Sequence, residues 1–390
     1  MTEIAAPPAF PFIEVTIDRS GIASTAQRAP GVIAIVGESP DDAAGGTQGV
    51  NDPALVLTSS AAEKLFAETA ADGRLVADTA LSRALKLALQ QDPRPSTVYG
   101  VRAQGGQVAA ALAALEQFGD VTLVCLAGTT HVGDEGPPAT GLRALVAHVE
   151  KASGDGSRRL GVAMIDPAIE RSPDYVRDVG AAYEPLRSPR LVLVAARGAD
   201  GDAAAAVTAT IAGHQPHISL VLKTVAGLSI PKAQQYTPEE IVGLSNLNID
   251  PVIDPVLIPG RSLHLAEGRL FADDDPIFID ILRTIDDVEF RLKAGLMRSV
   301  GDARITRSGL SLLKTRIEGI LGPLVRRGVL DGASVAIPVL DALSVPEAAR
   351  TSSDDTDIRT ARQTRSVQAT VTIVYGPAVH HLLLNLRPTF

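Results

Sequence analysis

The stretch PIFIDILRTIDDVEFRLKAGLMRSVGDARITRSGLSLLKTRIEGILGPLVRRG, residues 276–328, decides whether the chain is a simple α/β protein or carries a helical second body. Asp275 suits an N-cap and Pro276 a first helical position, where a missing N–H costs nothing. Ile277, Ile281, Ile285, Val288, Leu292 and Leu296 then recur at three- and four-residue steps, which predicts one apolar stripe. Gly301-Asp302 interrupts the pattern. Ser308 is placed to cap a second helix with the stripe Leu310, Leu313, Ile317, Leu321 and Leu324, ending at Gly328. Arg291, Lys293, Arg298, Arg304, Arg307, Lys314, Arg316, Arg326 and Arg327 are then expected on the outward faces. Only Asp302 and Glu318 oppose them, so the segment from 291 to 327 carries +7 in a chain of net charge −9. A basic helical pair on an acidic protein points to docking against an acidic partner; the alternative is a solvated helix face.

Upstream, the rhythm changes. Residues 1–29 read as an arm: Pro7, Pro8 and Pro11 exclude a helix, and Ile13, Val15 and Ile17 alternate with Glu14, Thr16 and Asp18 as in a half-buried strand. From Gly31 strands and helices alternate. Strands are expected at Val32–Val36, Thr97–Ala103, Val121–Ala127, Leu160–Ile165, Arg190–Ala196 and Ile218–Val225. Helices are expected at Ala54–Glu68, Leu75–Gln91, Gln107–Phe118, 140–152, 173–187 and 202–213. Short loops between them indicate an α/β layer with a largely parallel sheet. Residues 226–275 show little periodicity and are expected to cross towards another domain. Beyond Gly328, Ser334–Leu340 reads as a strand and 344–364 as a loop with one short helix. Alternation from Ser366 to Tyr375 and again over Val379–Leu386 closes the chain with two strands. The resulting division is an N-terminal arm (1–29), an outer α/β region (30–240), an inner region with the paired helices (241–365) and a C-terminal strand or arm (366–390).

At 390 residues the chain has room for two or three domains, and 45% hydrophobic content argues against wholesale disorder. Three per cent aromatic residues and no Trp leave Ala, Val and Leu to fill the core. One cysteine, Cys125, excludes an intramolecular disulfide framework and a Cys-rich metal site, which fits assembly in a reducing cytoplasm. No secretory signal is expected, because the opening Met-Thr-Glu-Ile-Ala-Ala-Pro-Pro lacks a basic region followed by an apolar run. Eighteen uninterrupted apolar residues occur nowhere, so no membrane span is expected.

Candidate chemistry is sparse. Cys125 lies inside an apolar strand, where an inert thiol is the ordinary outcome. His131, Asp134 and Glu135 share a Gly-rich loop but match no ligand spacing. His380 and His381, adjacent on a strand, point to opposite faces. Asp273, Asp274 and Asp275 precede a helix, where its dipole favours carboxylates. Gly45-Gly46 lacks the Lys-Ser/Thr of a phosphate loop, and neither Gly-x-Gly-x-x-Gly after a strand nor Gly-x-Ser-x-Gly is present. The sequence predicts no catalytic, cofactor-binding or metal-binding residues.

Taken in order, the chain resembles the contractile tail sheath proteins of phages and related injection systems. Pro30-Gly31-Val32 through Gly37 resembles the family's opening strand, and Asn51-Asp52-Pro53 followed by Thr58-Ser59 its Asn-x-Pro…Thr-Ser element. Ala113-Ala114-Leu115 to Val121-Thr122-Leu123-Val124, and His148 through Ile165-Asp166-Pro167, resemble its helix–strand units. Leu244–Pro259 is similar to its crossing segment, and Ile277–Leu292 with Ile305–Gly332 to its paired C-terminal helices. Pro377-Ala378-Val379-His380 resembles its closing strand. The family's Trp-Gly-x-Arg-Thr element is replaced by Leu265-Ala266-Glu267-Gly268-Arg269-Leu270. The resemblance implies a protomer with an outer α/β domain and an inner domain of helices and strands. Such a protomer polymerises helically around an inner tube protein and contracts to drive that tube through a target envelope, without covalent chemistry. It implies terminal arms that pair with strands of neighbouring copies, here through Ile13, Val15, Ile17, Val379, His381 and Leu383. It implies a tube-facing surface, for which Arg291, Lys293, Arg298, Arg304, Arg307, Lys314 and Arg316 are the matching residues. Baseplate and tail-terminator proteins are the other implied partners, with no membrane insertion and no direct nucleic acid. The implied location is a virion tail or injection particle assembled in a bacterial host cytoplasm. Two other classes remain: an α/β hydrolase using Cys125 with a nearby His, and a nucleic-acid binder using the basic 291–327 face.

Overall fold

The structure is a computed structural model and describes residues 31–38, 46–70, 74–255, 257–258, 262–274, 278–299 and 301–380. In chain order the first part contains β1 (Val32–Glu38), β2 (Ala54–Leu55), α1 (Ser59–Phe66), β3 (Glu68–Thr69), β4 (Leu75–Ala77), α2 (Ala80–Ala88), β5 (Thr97–Ala103), α3 (Val108–Ala114), β6 (Leu123–Leu126), α4 (Gly141–Gly154), β7 (Leu160–Met164), α5 (Tyr175–Tyr183), β8 (Leu191–Ala195) and α6 (Ala203–Gly213). β9 (Thr224–Val225), α7 (Pro238–Asn246), β10 (Asp250–Ile253) and β11 (Leu263–Leu265) complete a nine-stranded sheet of order β2-β5-β1-β6-β7-β8-β10-β11-β9.

The six strands from β5 to β10 run parallel; β2, β11 and β9 extend the sheet antiparallel at its edges. Numbered among themselves, the parallel strands lie in the order 2-1-3-4-5-6, a doubly wound arrangement with helices on both faces. Strand residues alternate between two cores. Ile33, Ile35, Val192 and Val194 join α2 and α6 on one face, and Val32, Ala34, Leu191 and Leu193 join α3, α4 and α5 on the other. α6 is alanine-rich and buried along nearly its whole length, as two-sided burial requires.

Several boundaries depart from expectation because side-chain caps overrule periodicity. Thr58 accepts the Ala61 N–H at 3.1 Å and starts α1 there, leaving Ala54–Leu55 to form an edge strand. Thr79 does the same for α2 at 3.0 Å, so Leu75–Ala77 is a strand and not the start of a helix. The expected strand over 218–225 shortens to Thr224–Val225. The sector expected to cross towards another domain contains regular elements: Thr237 and Glu240 form a capping box on α7, and β10 pairs with β8. β10 and β11, which the sequence reading groups with the inner region, are strands of the main sheet.

A third core forms the second body. α8 (Ile279–Leu296), α9 (Arg307–Arg326), β12 (Gly332–Ala336), α10 (Pro338–Ser344), α11 (Ser352–Thr364) and β13 (Thr370–Val374) enclose Val288, Leu310, Ile317, Leu321, Leu324, Val335, Leu340, Leu343 and Ile358. The expected strand Ser334–Leu340 ends at Ala336 because Pro338 opens α10 at a first-turn position. The expected loop 344–364 contains the 13-residue α11, held by a Thr351–Asp354 capping box.

Candidate functional site

The second body presents two surfaces that its own residues leave uncovered. The first is the outer face of the α8–α9 pair. The expected cap Asp275-Pro276 and Ile277 lie outside the described residues; α8 starts at Ile279, three residues after Pro276. Its buried face is correspondingly rotated. Ile279, Leu282, Arg283, Val288 and Arg291 point inward, whereas Ile281 is half-buried and Ile285 is 42% exposed. On the same side Asp286 and Glu289 meet Arg190 and Arg158 of the α/β layer.

That rotation changes the basic face. Arg291 is buried and bound to Asp287 at 2.7 Å, so the expectation that it points outward is corrected. Lys293 is exposed but pairs with Glu289 at 2.5 Å. The side chain of Arg298 lies outside the described residues. α9 keeps its expected stripe except for Leu313, which is half-buried, and Thr306 rather than Ser308 caps it, accepting the Gly309 N–H at 3.1 Å. Arg304, Arg307 and Arg326 are exposed and Lys314 half-buried, and none forms an ion pair with a described residue. Arg316 donates to Ser299 Oγ at 2.7 Å and lines a groove of ≈ 310 Å³ with Arg304, Thr306, Ser308 and Leu312. The positive surface is thus carried by α9 and the turn before it, with α8 neutralised. Both neutralising contacts are i,i+4 pairs within α8, a spacing that the sequence itself displays.

The second surface is the β12–β13 ladder. Five residue pairs, from Gly332↔Val374 to Ala336↔Thr370, form an antiparallel two-stranded sheet separate from the main one. Val335 packs on the third core with Val371 and Ile373 half-buried against it, while the opposite side faces solvent. An isolated two-stranded sheet is marginal on its own, and among the described residues no third strand pairs with its outer edges. Beside β12, Leu321, Gly322, Val325, Gly332, Ala333 and Val335 line a groove of ≈ 420 Å³. Of the expected inter-subunit strand residues, Ile13, Val15, Ile17, His381 and Leu383 lie outside the described residues. Val379 is 80% exposed and lies in no strand of the described residues. His380 is held by Ser219 Oγ at 3.0 Å and by an edge contact with Phe278.

No catalytic centre emerges from the candidates for chemistry. Cys125 is buried, and burial pushes its thiol well above the usual range, which disfavours the thiolate that a nucleophile needs. Glu135 is tied to Arg143, and the His131 and Asp134 carbonyls close the loop by accepting backbone N–H groups. Among the described residues no group of three His, Cys, Asp or Glu side chains could hold a metal ion, and no helix is long and apolar enough to cross a membrane.

No protein-family model matches the sequence, and no curated protein matches it either. Solved structures do match. A sheath chain of an extracellular contractile injection system, the PVC sheath complex in its contracted state, superposes with TM-score 0.67 at 14% identity, covering 98% of each chain. The helical sheath of the anti-feeding prophage, also contracted, superposes at 0.63 with 15% identity over 97% of this chain and 99% of that one. The fold is that of a contractile sheath protein. A chain of the six-fold symmetrised anti-feeding prophage baseplate shares it at TM-score 0.63 and 16% identity, over 98% of this chain and 100% of that one. Coverage is nearly complete in both directions, so the sheath fold here includes the α/β layer and the second body together.

Proposed function

We propose that the protein is a structural protomer of a contractile sheath, polymerising helically around an inner tube and contracting to drive it forward. The observation that supports this reading most is the end-to-end match with sheath chains, both bodies included. On this reading the outer body comprises residues 31–272, the inner body the region from α8 to β13, and residues 1–29 and 376–390 are arms. A neighbour's arm adds a strand to the open β12–β13 ladder, with Ile13, Val15 and Ile17 supplying one side-chain face and Val379, His381 and Leu383 the other terminus. Contraction is a rigid-body rearrangement of whole protomers about those linked strands. Baseplate and terminator proteins cap the ends of the array, and the particle is assembled in the host cytoplasm. The function needs no catalysis and no cofactor.

The purified chain is expected to form long tubes of uniform width in negative-stain electron micrographs. A compact monomer at high concentration would overturn the proposal.

The surface of α9 is the tube-facing side on this reading: Arg304, Arg307, Lys314 and Arg316 are available to acidic groups because none of them forms an ion pair with a described residue. Exposed charge pairs contribute about 0.2–1 kcal/mol each and weaken with salt, which suits an interface that must release. Reversing Arg307, Lys314 and Arg316 to Glu is expected to weaken tube loading roughly tenfold at low salt and less at high salt. Co-sedimentation with the tube protein measures it; unaltered loading would mark these residues as ordinary surface, and salt-sensitive duplex binding by the wild type would favour a nucleic-acid role.

A further inference from the structure

α8 belongs to two cores at once. Ile279 and Leu282 in its first turn are buried against the main sheet, whereas Val288 belongs to the third core. Between these anchors the helix offers little apolar surface to the sheet, and Ile285 faces solvent. Charged groups hold the gap. Asp286 and Glu289, one turn apart, meet Arg190, which immediately precedes β8, and Arg158, two residues before the adjacent parallel strand β7. Both contacts are two-pronged. Arg190 Nη1 and Nη2 donate to Asp286 at 2.5 and 3.0 Å, and Arg158 Nε and Nη2 donate to Glu289 at 2.7 and 3.2 Å. The four side chains are 13–32% exposed, shielded enough for the pairs to exceed ordinary surface bridges.

The spacing is matched. Neighbouring strands lie about 4.8 Å apart, and residues i and i+3 on a helix about 5–6 Å apart at Cβ. Arg283, fully enclosed beside them, donates to the His214 carbonyl at 3.0 Å. Burial pulls its pKa down to about 10. A small space of ≈ 40 Å³, bordered by Thr122, Leu160, Pro216 and Arg283, separates the helix from the strand ends.

We propose that this twin arginine–carboxylate clamp is the joint that makes α8 a rigid strut, fixing the angle between the main sheet and the second body. An apolar seam would let the helix slide or turn; planar guanidinium–carboxylate forks permit one orientation. Force applied to the second body therefore passes through α8 into β7 and β8 without bending the protomer.

The test is amide hydrogen exchange on the free chain, comparing wild type with the quadruple variant Arg158→Gln, Arg190→Gln, Asp286→Asn, Glu289→Gln. Exchange over residues 286–296 should accelerate roughly tenfold while β6, β7 and β8 keep their protection, since local opening is then decoupled from global unfolding. Should the quadruple variant not fold, Glu289→Gln alone, at the more exposed pair, reads the same contrast at roughly threefold. Unchanged protection of α8, or equal acceleration throughout the chain, would overturn the clamp as a joint. The result does not depend on polymerisation, so it stands or falls separately from the sheath proposal.

Discussion

Deleting residues 1–20 is expected to yield a folded monomer that no longer polymerises. The described residues that build the three cores all lie at Val32 or beyond, so the fold is expected to survive the deletion. What it removes is the alternating segment containing Ile13, Val15 and Ile17, the part of the chain suited to extend a neighbour's β12–β13 ladder. A five-residue strand adds about four backbone hydrogen bonds, each with a net contribution of about 1 kcal/mol. Losing about 4 kcal/mol per contact raises the concentration needed for assembly about a thousandfold. Because every protomer in a helical array makes the same contact, the loss is felt at each step of growth. Sedimentation velocity and electron microscopy at matched concentration report the outcome, with far-UV circular dichroism confirming the fold. Tubes at the wild-type threshold concentration would remove the arm from the mechanism.

The α/β layer was legible in the sequence because its strands are buried on both faces and so stand out as short apolar runs, as at Val121–Ala127 and Arg190–Ala196. Legibility failed where a single side chain set a boundary: Thr58 and Thr79 terminate what periodicity alone extends into longer helices. It failed again over 226–272, where β10 and β11 gain their meaning only by pairing with β8 and with each other, contacts that leave no local period. The basic face was half legible. α9 presents its arginines as spacing predicts, but Arg291 of α8 is buried and paired with Asp287 on the same helix. Sheath-like order along the chain survives these errors because it rests on the succession of elements and not on their ends.

A marked pH dependence of stability is expected from His148. Its ring is 7% exposed, and its Nε2 lies 2.7 Å from Nη1 of Arg159, whose Nη2 also donates to the carbonyls of Leu115 and Phe118 at 2.6 and 2.8 Å. Arginine stays protonated, so Nε2 must accept and the ring must be neutral with its proton on Nδ1. Burial first, and the neighbouring guanidinium second, pull the His148 pKa from 6.5 down to about 4. A folded-state value below the unfolded one means that the neutral ring stabilises the fold fully above the unfolded pKa. That contribution declines as pH falls from about 6.5 towards about 4. A shift of this size is worth up to about 3 kcal/mol. His148→Gln keeps an acceptor near Nε2 and cannot titrate. Relative to wild type, the variant should therefore gain about 2–3 kcal/mol between about pH 7 and about pH 4.5, read from urea midpoints at both values. Carboxylates titrating in the same range act on both proteins alike and cancel in the difference. An equal stability gap at the two pH values would show that the His148 ring does not carry the proton-linked term, and the Arg159 contact would have to be re-read as one that tolerates a charged imidazole.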